Sequence, residues 1–355
     1  MLLKGIYRMQ ININMIQEKD KSYDIYIDEL KTLSFDTKVA IITNPTVSKY
    51  HLDKVLSLIK ADELHVITIS DGEEYKNLET IEYILNECFK LRLDRKSILV
   101  ALGGGVIGDM TGFAASIFQR GIGFVQIPTT LLAQVDASVG GKTGVNSKYG
   151  KNLIGSFWQP LAVHCDTKFL ETLPKREFGA GVAEIIKMAV TFDKDFFEWL
   201  ERHDLNQKDD LKSAILKSIQ TKACVVSKDE REAGIRAVLN YGHTFAHVVE
   251  NETKYKSYLH GEAVSIGMVM ANELAIRLGI LSNQEALRVK YLLQRYDLPI
   301  DYEIKSAQDF YEHFFLDKKS NKNKITFVLP KHIGGYEMRD DIEKELIIGV
   351  LRDFE

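Results

Sequence analysis

Cysteine is scarce in this chain. Three thiols, Cys88, Cys165 and Cys224, are spread over 355 residues. They are odd in number and form no C-x-x-C pair, which excludes a disulfide framework and a thiolate metal cluster and leaves reduced, buried thiols. No apolar run approaches the roughly 20 residues of a membrane helix. The start, Met1 to Lys21, is polar, with Asn12, Asn14, Glu18 and Lys19, and has no apolar signal-peptide core. A cytoplasmic protein without a membrane partner is therefore expected. A charge excess is also missing: the net charge is −4 and the pI about 6.2. General attraction for nucleic acid or an anionic membrane is thereby excluded, so any basic site must be a local cluster.

What is present is an ordinary globular composition, 45% hydrophobic and 27% charged, on a chain long enough for two domains. Short β-rich runs recur early: Tyr23–Ile27, Val39–Thr43, His65–Ile69, Ile98–Ala101, Phe124–Ile127 and Leu161–His164. Helical patterns alternate with them, such as Leu78–Leu91 with Leu78, Ile81, Ile84, Leu85 and Cys88 on one face. That alternation implies βαβ units and a mostly parallel sheet. After about Thr167 the pattern turns helical: Ala180–Val190, Leu211–Val226, Thr244–Glu250, Ala263–Leu278 and Glu285–Tyr296, with Ile325–Leu329 as the only later strand. The expected architecture is an α/β Rossmann-like domain over residues 1–170 and a mainly α-helical domain over 171–355, with a ligand cleft between them. The segment from Pro128 to Pro160, rich in Gly, Ser, Thr and Asn, reads as a long irregular loop of functional use.

Gly103, Gly105 and Gly108 follow the strand-like run Ile98–Ala101 with G-x-G-x-x-G spacing. A helix starting near Val106 would offer free N–H groups to a phosphate; the competing reading is a plain strand-to-helix turn. An ordinary dinucleotide fold carries an acid at the next strand end, about 20 residues on. Here that strand ends in Pro128-Thr129-Thr130, and the acids lie in the earlier Ser70–Lys76 stretch. Asp109 would repel a pyrophosphate, so its expected role is favourable placement in a helix first turn.

Three of the nine histidines cluster: His243, His247 and His260. Arg236, Asn240, His243 and His247 would share one face of a continuous helix; alternatively Asn240 caps a helix that begins there. His260 and Glu262 open another helix, and Glu184 and Lys187 share a face in an apolar run. Two histidines and one glutamate make a plausible metal set with an open position, although His243 and His247 could also chelate together.

The motifs together resemble the 3-dehydroquinate synthase family of sugar-phosphate cyclases. The residues that carry the resemblance are Asp71-Gly72-Glu73 with Lys76; Gly103 to Asp109; Pro128 to Leu132 with Asp136; Gly140 to Thr143 with Asn146; Lys151-Asn152; Glu184 with Lys187; Arg236, Leu239-Asn240 and Gly242-His243-Thr244; and His260-Gly261-Glu262. The resemblance implies NAD contacts at Asp71, Gly72, Glu73, Glu74, Tyr75, Lys76, Gly105, Val106, Ile107, Gly108, Asp109, Thr129, Thr130, Lys142, Lys151, Phe169, Leu170, Glu171 and Thr172, with Asn44 as a further candidate. It implies zinc or cobalt on Glu184, His243 and His260. Asp136, Lys142, Lys187, Arg236, Asn240 and His247 are implied to face the substrate. Arg120 resembles an arginine that reaches the phosphate of the partner subunit in a homodimer. In the tail, Asp317-Lys318-Lys319 matches, but Asn323 stands where a glycine is usual, before the substrate candidate Lys324.

The implied reaction belongs to the shikimate pathway and turns 3-deoxy-D-arabino-heptulosonate 7-phosphate into 3-dehydroquinate and phosphate. It runs by transient oxidation by NAD, phosphate elimination, reduction, ring opening and an aldol closure. Three rivals remain: a sibling such as 2-deoxy-scyllo-inosose synthase, a metal-dependent polyol dehydrogenase of the glycerol dehydrogenase type, and an inactive NAD-binding module. His247 and Arg236 favour the dehydroquinate reading.

Overall fold

The computed structural model describes residues 21–315 and 324–355. The tail motif Asp317-Lys318-Lys319 and the polar start therefore lie outside the described residues, apart from Lys21.

The six early β-rich runs become the six strands of one sheet: β1 (Asp24–Ile27), β2 (Lys38–Thr43), β3 (Glu63–Thr68), β4 (Ile98–Gly103), β5 (Gly123–Pro128) and, after a hairpin, β8 (Ala162–Cys165). Their order is β1-β8-β5-β4-β2-β3, and every pairing is parallel. Successive side chains go to opposite faces. Ala40, Ile42, Leu99, Ala101 and Phe124 enter one apolar cluster, and Val39, Ile41, Val100, Leu102 and Val125 enter the other. Burial on both faces explains why the central strands β2, β4 and β5 read as continuous apolar runs rather than alternating ones.

From β2 the chain steps outward to β3, then returns through α1 (Leu78–Lys90) to β4 on the other side of β2. This reversal opens a crevice at the carboxyl ends of β2 and β4, where open parallel sheets hold ligands. α2 (Gly105–Ile117) starts directly after β4.

The segment Pro128–Pro160 is not one irregular loop. It contains an antiparallel hairpin of β6 (Lys142–Ser147) and β7 (Gly150–Phe157), packed against α2. Glycine, serine and asparagine at strand positions hid the period-2 pattern.

The second half is mainly helical: α3 (Lys175–Phe192), α4 (Lys194–Arg202), α5 (Lys208–Lys228), α6 (His243–Glu252), α7 (His260–Arg277), α8 (Asn283–Gln294), α9 (Ala307–His313) and α10 (Lys344–Arg352). The late strand lies at β9 (Phe327–Pro330) and is not alone, because it pairs antiparallel with β10 (Tyr336–Arg339). Residues Gly179 through Thr191 of α3 are buried throughout, so this helix is the axis of the largest core. Phe245, Phe314 and Phe327 stack edge-on or tilted with centroids 5.4–5.6 Å apart and pin α6 to the late strand.

Arg236, Asn240, His243 and His247 do not share one helix. Ile235–Asn240 is a 3₁₀ turn, and α6 begins only at His243, with Gly242 rather than Asn240 as its cap. Gly242 has φ +81, and a Cβ there would lie 2.9 Å from Met268 Cγ, so the chain can break and restart here only with glycine.

Candidate active site

The nucleotide candidates ring the carboxyl edge of the sheet. Asn44, at the end of β2, caps the next turn through Val47 N–H and donates to Asp71 Oδ1 at 2.9 Å. Thr46 donates to the other Asp71 oxygen at 2.5 Å. Asp71 is thereby held at the rim, with Gly72 and the 3₁₀ turn Glu73–Tyr75 beside it. Lys76 is buried and donates to Asp109 Oδ2 and Asn152 Oδ1, both at 2.6 Å. Asp109 lies beyond the first turn of α2 and pairs with Lys76, so helix-end placement is not its role. Gly104 caps α2 with no side chain, which leaves the N–H groups of Gly105, Val106 and Ile107 directed at the crevice. Gly108 donates back to the Gly104 carbonyl at 3.0 Å. Thr129 donates its N–H to the Gly103 carbonyl, and Thr130 lies against Gly104. Phe169 and Leu170 are buried, and Thr172 contacts His51 at 2.9 Å, in the 3₁₀ turn Thr167–Thr172 with Glu171.

The metal candidates converge from three helices. Their ligand atoms, on Glu184, His243 and His260, lie within 4.8 Å of one another. Glu184 is fully buried; its Oε2 pairs with Lys187, while its Oε1 accepts no hydrogen bond. That orphan oxygen is 3.8 Å from Nε2 of both His243 and His260. The opposite nitrogens are already occupied: His243 Nδ1 faces the Tyr241 carbonyl and His260 Nδ1 faces Glu250 Oε1, each at 3.2 Å. Outward partners of this kind fix the tautomer and aim Nε2 at a shared point. An orphan carboxylate oxygen facing two such nitrogens fits a divalent cation such as zinc. Burial, with Lys187 and His260 nearby, holds His243 well below the usual histidine range, in the neutral form that binds metal. Close approach of α7 places His260 here, since a Cβ on Gly261 would lie 2.0 Å from the Ala180 carbonyl oxygen. Glu262 is no ligand; it caps Leu259 N–H at 2.8 Å and pairs with Arg176.

Substrate-side candidates surround this cluster. Asp136 pairs with Lys222 at 2.7 Å. Burial raises the Asp136 carboxyl, but Lys222 and Lys187 outweigh it and hold the group far below the usual carboxylate range. Lys187 is buried against Glu184, and Arg236 donates to the Gly140 carbonyl at 3.0 Å. Glu232 joins two further candidates, accepting from Asn240 at 2.6 Å and pairing with Lys142. His247 lies one turn beyond His243, ring centroids 5.8 Å apart. Lys151 bonds Glu250 at 3.0 Å. Two candidates are not brought in. Lys324 is exposed and 3.8 Å from Asp340, and Arg120 is exposed at the turn after α2.

Residues 66–180 match the model of the 3-dehydroquinate synthase N-terminal domain, and residues 181–320 that of its C-terminal domain. The chain belongs to the 3-dehydroquinate synthase family. It is 62% identical to a 3-dehydroquinate synthase of a Nitratiruptor species over 347 residues, 98% of this chain and 99% of that one. Among solved structures it is similar to 2-epi-5-epi-valiolone synthase from Streptomyces hygroscopicus subsp. jinggangensis 5008 with NAD+ and Zn2+ bound: TM-score 0.86, 25% identity, 97% and 99% of the two chains covered. A 2-deoxy-scyllo-inosose synthase complexed with carbaglucose-6-phosphate, NAD+ and Co2+ matches with TM-score 0.80 and 26% identity, covering 90% and 91%.

Three buried or half-buried charges of this family member escaped the sequence reading: Lys222, Glu250 and Glu232. Two of them had a signal. Leu211, Ile215, Ser218, Lys222 and Val225 form the buried stripe of α5, so Lys222 is a cation on a core face. His243, His247 and Glu250 recur at helical spacing, which places Glu250 on the histidine face. Glu232 sits in a turn and had no such pattern.

Proposed function

We infer that the protein catalyses the conversion of 3-deoxy-D-arabino-heptulosonate 7-phosphate to 3-dehydroquinate and phosphate, in the cytoplasm, as a homodimer. One observation carries this reading. An orphan-oxygen metal cluster, four cations (Lys142, Lys187, Lys222 and Arg236) and a glycine-capped helix start occur in one family member, a combination suited to a phosphorylated sugar acid. The chain divides for this purpose at residues 170/171 into an NAD-binding and a metal- and substrate-binding domain.

Bound NAD would supply a reversible hydride acceptor, and bound zinc or cobalt would supply Lewis acidity toward the substrate's oxygens. Asn44, Asp71–Lys76, Gly105–Asp109, Thr129, Thr130, Lys142, Lys151 and Phe169–Thr172 hold the nucleotide, and Glu184, His243 and His260 hold the metal. Lys142 and Arg236 balance the phosphate charge, with Arg236 presenting a bidentate fork. Arg120 of a second copy adds to that balance. Lys187, buried beside Glu184, stabilises negative charge that develops on the substrate oxygen. Asn240 and Asp136 orient substrate hydroxyls, Lys222 fixes the Asp136 carboxylate, and His247 carries a proton. Lys324 lies apart from this cluster and is assigned to the substrate on the resemblance alone. The departing phosphate serves as its own base, so no further protein base is needed.

A sibling cyclase acting on a hexose phosphate is the second reading. The 62% identity to a dehydroquinate synthase, against 26% to the inosose synthase, favours the first. The test is a parallel assay of phosphate release and NADH with the heptulosonate phosphate and with glucose 6-phosphate. Phosphate released from the former without NADH build-up is expected. Stoichiometric NADH, or turnover of the hexose phosphate instead, contradicts it.

A further inference from the structure

Glu250 holds two sites together. It is only 2% exposed, near the end of α6. A single oxygen, Oε1, contacts both His260 Nδ1 at 3.2 Å and Lys151 Nζ at 3.0 Å. His260 turns its other nitrogen toward Glu184, at the centre of the metal cluster. Lys151 comes from β7 of the hairpin, on the sheet side of the molecule, and its ammonium also lies 4.2 Å from the Tyr255 ring centroid. The path from the nucleotide edge to the metal cluster is therefore two polar contacts long.

A carboxylate on the Nδ1–H of a histidine fixes the ring and raises the basicity of the opposite nitrogen, which strengthens a metal bond there. A cation on the same oxygen works against this by drawing the negative charge toward itself. We propose that Glu250 positions His260 for the metal, and that the Lys151–Glu250 contact couples nucleotide and metal binding. A nucleotide that takes over the Lys151 ammonium releases Glu250 to polarise His260, and so tightens the metal. The inference rests on the reading of Glu184, His243 and His260 as ligands and of Lys151 as a nucleotide contact. Linkage requires the effect to be reciprocal, so zinc must tighten NAD by the same factor.

The experiment is zinc affinity by competition with a chromophoric chelator, with and without saturating NAD, on the wild type and the E250Q, K151M and E184Q variants. Circular dichroism confirms folding, and the NAD affinity of the wild type is measured with and without zinc. NAD is expected to tighten zinc on the order of tenfold in the wild type, and zinc to tighten NAD equally. E250Q weakens zinc roughly 10- to 100-fold and loses most of the NAD effect although Lys151 is intact. K151M without NAD binds zinc at least as tightly as the wild type, and NAD adds nothing. Folded E250Q with wild-type zinc affinity, or either variant with the full NAD effect, overturns the proposal. E184Q separates the two failures. If it keeps zinc fully, the ligand reading falls; if it loses zinc while E250Q behaves as wild type, only the coupling falls.

Discussion

The two halves of the site are built differently. At the sheet edge the candidate phosphate-binding groups are backbone: the bare start of α2 after β4, with Thr129 and Thr130 alongside. In the helical half the candidate groups are side chains from α3, α6 and α7, each with its own polar partner: Lys187 for Glu184, the Tyr241 carbonyl for His243 and Glu250 for His260. A backbone site depends on space, and its enemy is an added Cβ. A side-chain site depends on charge compensation, and its enemy is a removed partner.

Substitutions can test that contrast. The largest effect expected on the sheet side is from Gly104→Val, since a Cβ there already lies 3.0 Å from Thr130 Cγ2 and the added branches crowd the helix start. NAD affinity should drop by about 100-fold through lost charge-assisted hydrogen bonds, with metal content intact; isothermal titration and metal analysis read both. Full NAD affinity in this variant would break the comparison.

On the helical side, Lys222→Met keeps the buried volume but removes the cation paired with the Asp136 carboxylate, leaving only the more distant Lys187. A loss of about 3–5 kcal/mol of stability in urea denaturation is expected, with NAD affinity unchanged at temperatures where the variant is folded. Unaltered stability would show that Asp136 is compensated by Lys187 alone.

The smallest effect belongs to Arg120→Ala, at an exposed turn. Substrate KM should rise about tenfold, the loss of one charge-assisted contact, while NAD affinity and stability stay as they are. Unchanged kinetics would return Arg120 to an ordinary surface turn.

The same contrast explains what was legible in the sequence. The central strands β2, β4 and β5 were readable because burial on both faces leaves unbroken apolar runs, the edge strands β1 and β3 from their β-branched and aromatic residues, and the glycine loop because its spacing is local. The hairpin Lys142–Phe157 was not, because glycine and asparagine occupy its strand positions. The metal set was half legible. Histidine spacing alone left His243 and His247 as a rival chelate, and only the family resemblance singled out Glu184, His243 and His260. In the folded chain Gly242 breaks the supposed continuous helix, and Glu184 and His260 arrive on separate helices. Lys222 and Glu250 act across 86 and 10 residues of sequence, on Asp136 and His260, and no local pattern names such partners.

Metal content after dialysis tests the account most directly, measured on purified Glu184→Gln, His243→Ala, His260→Ala and His247→Ala, with circular dichroism to confirm folding. The two alanine variants at His243 and His260 should be empty and Glu184→Gln greatly depleted, because an amide oxygen carries no net charge. His247→Ala should remain loaded and lose only rate. A folded His247→Ala without metal, beside a fully loaded Glu184→Gln, would contradict the three-helix cluster and point to a chelate of His243 and His247 on α6.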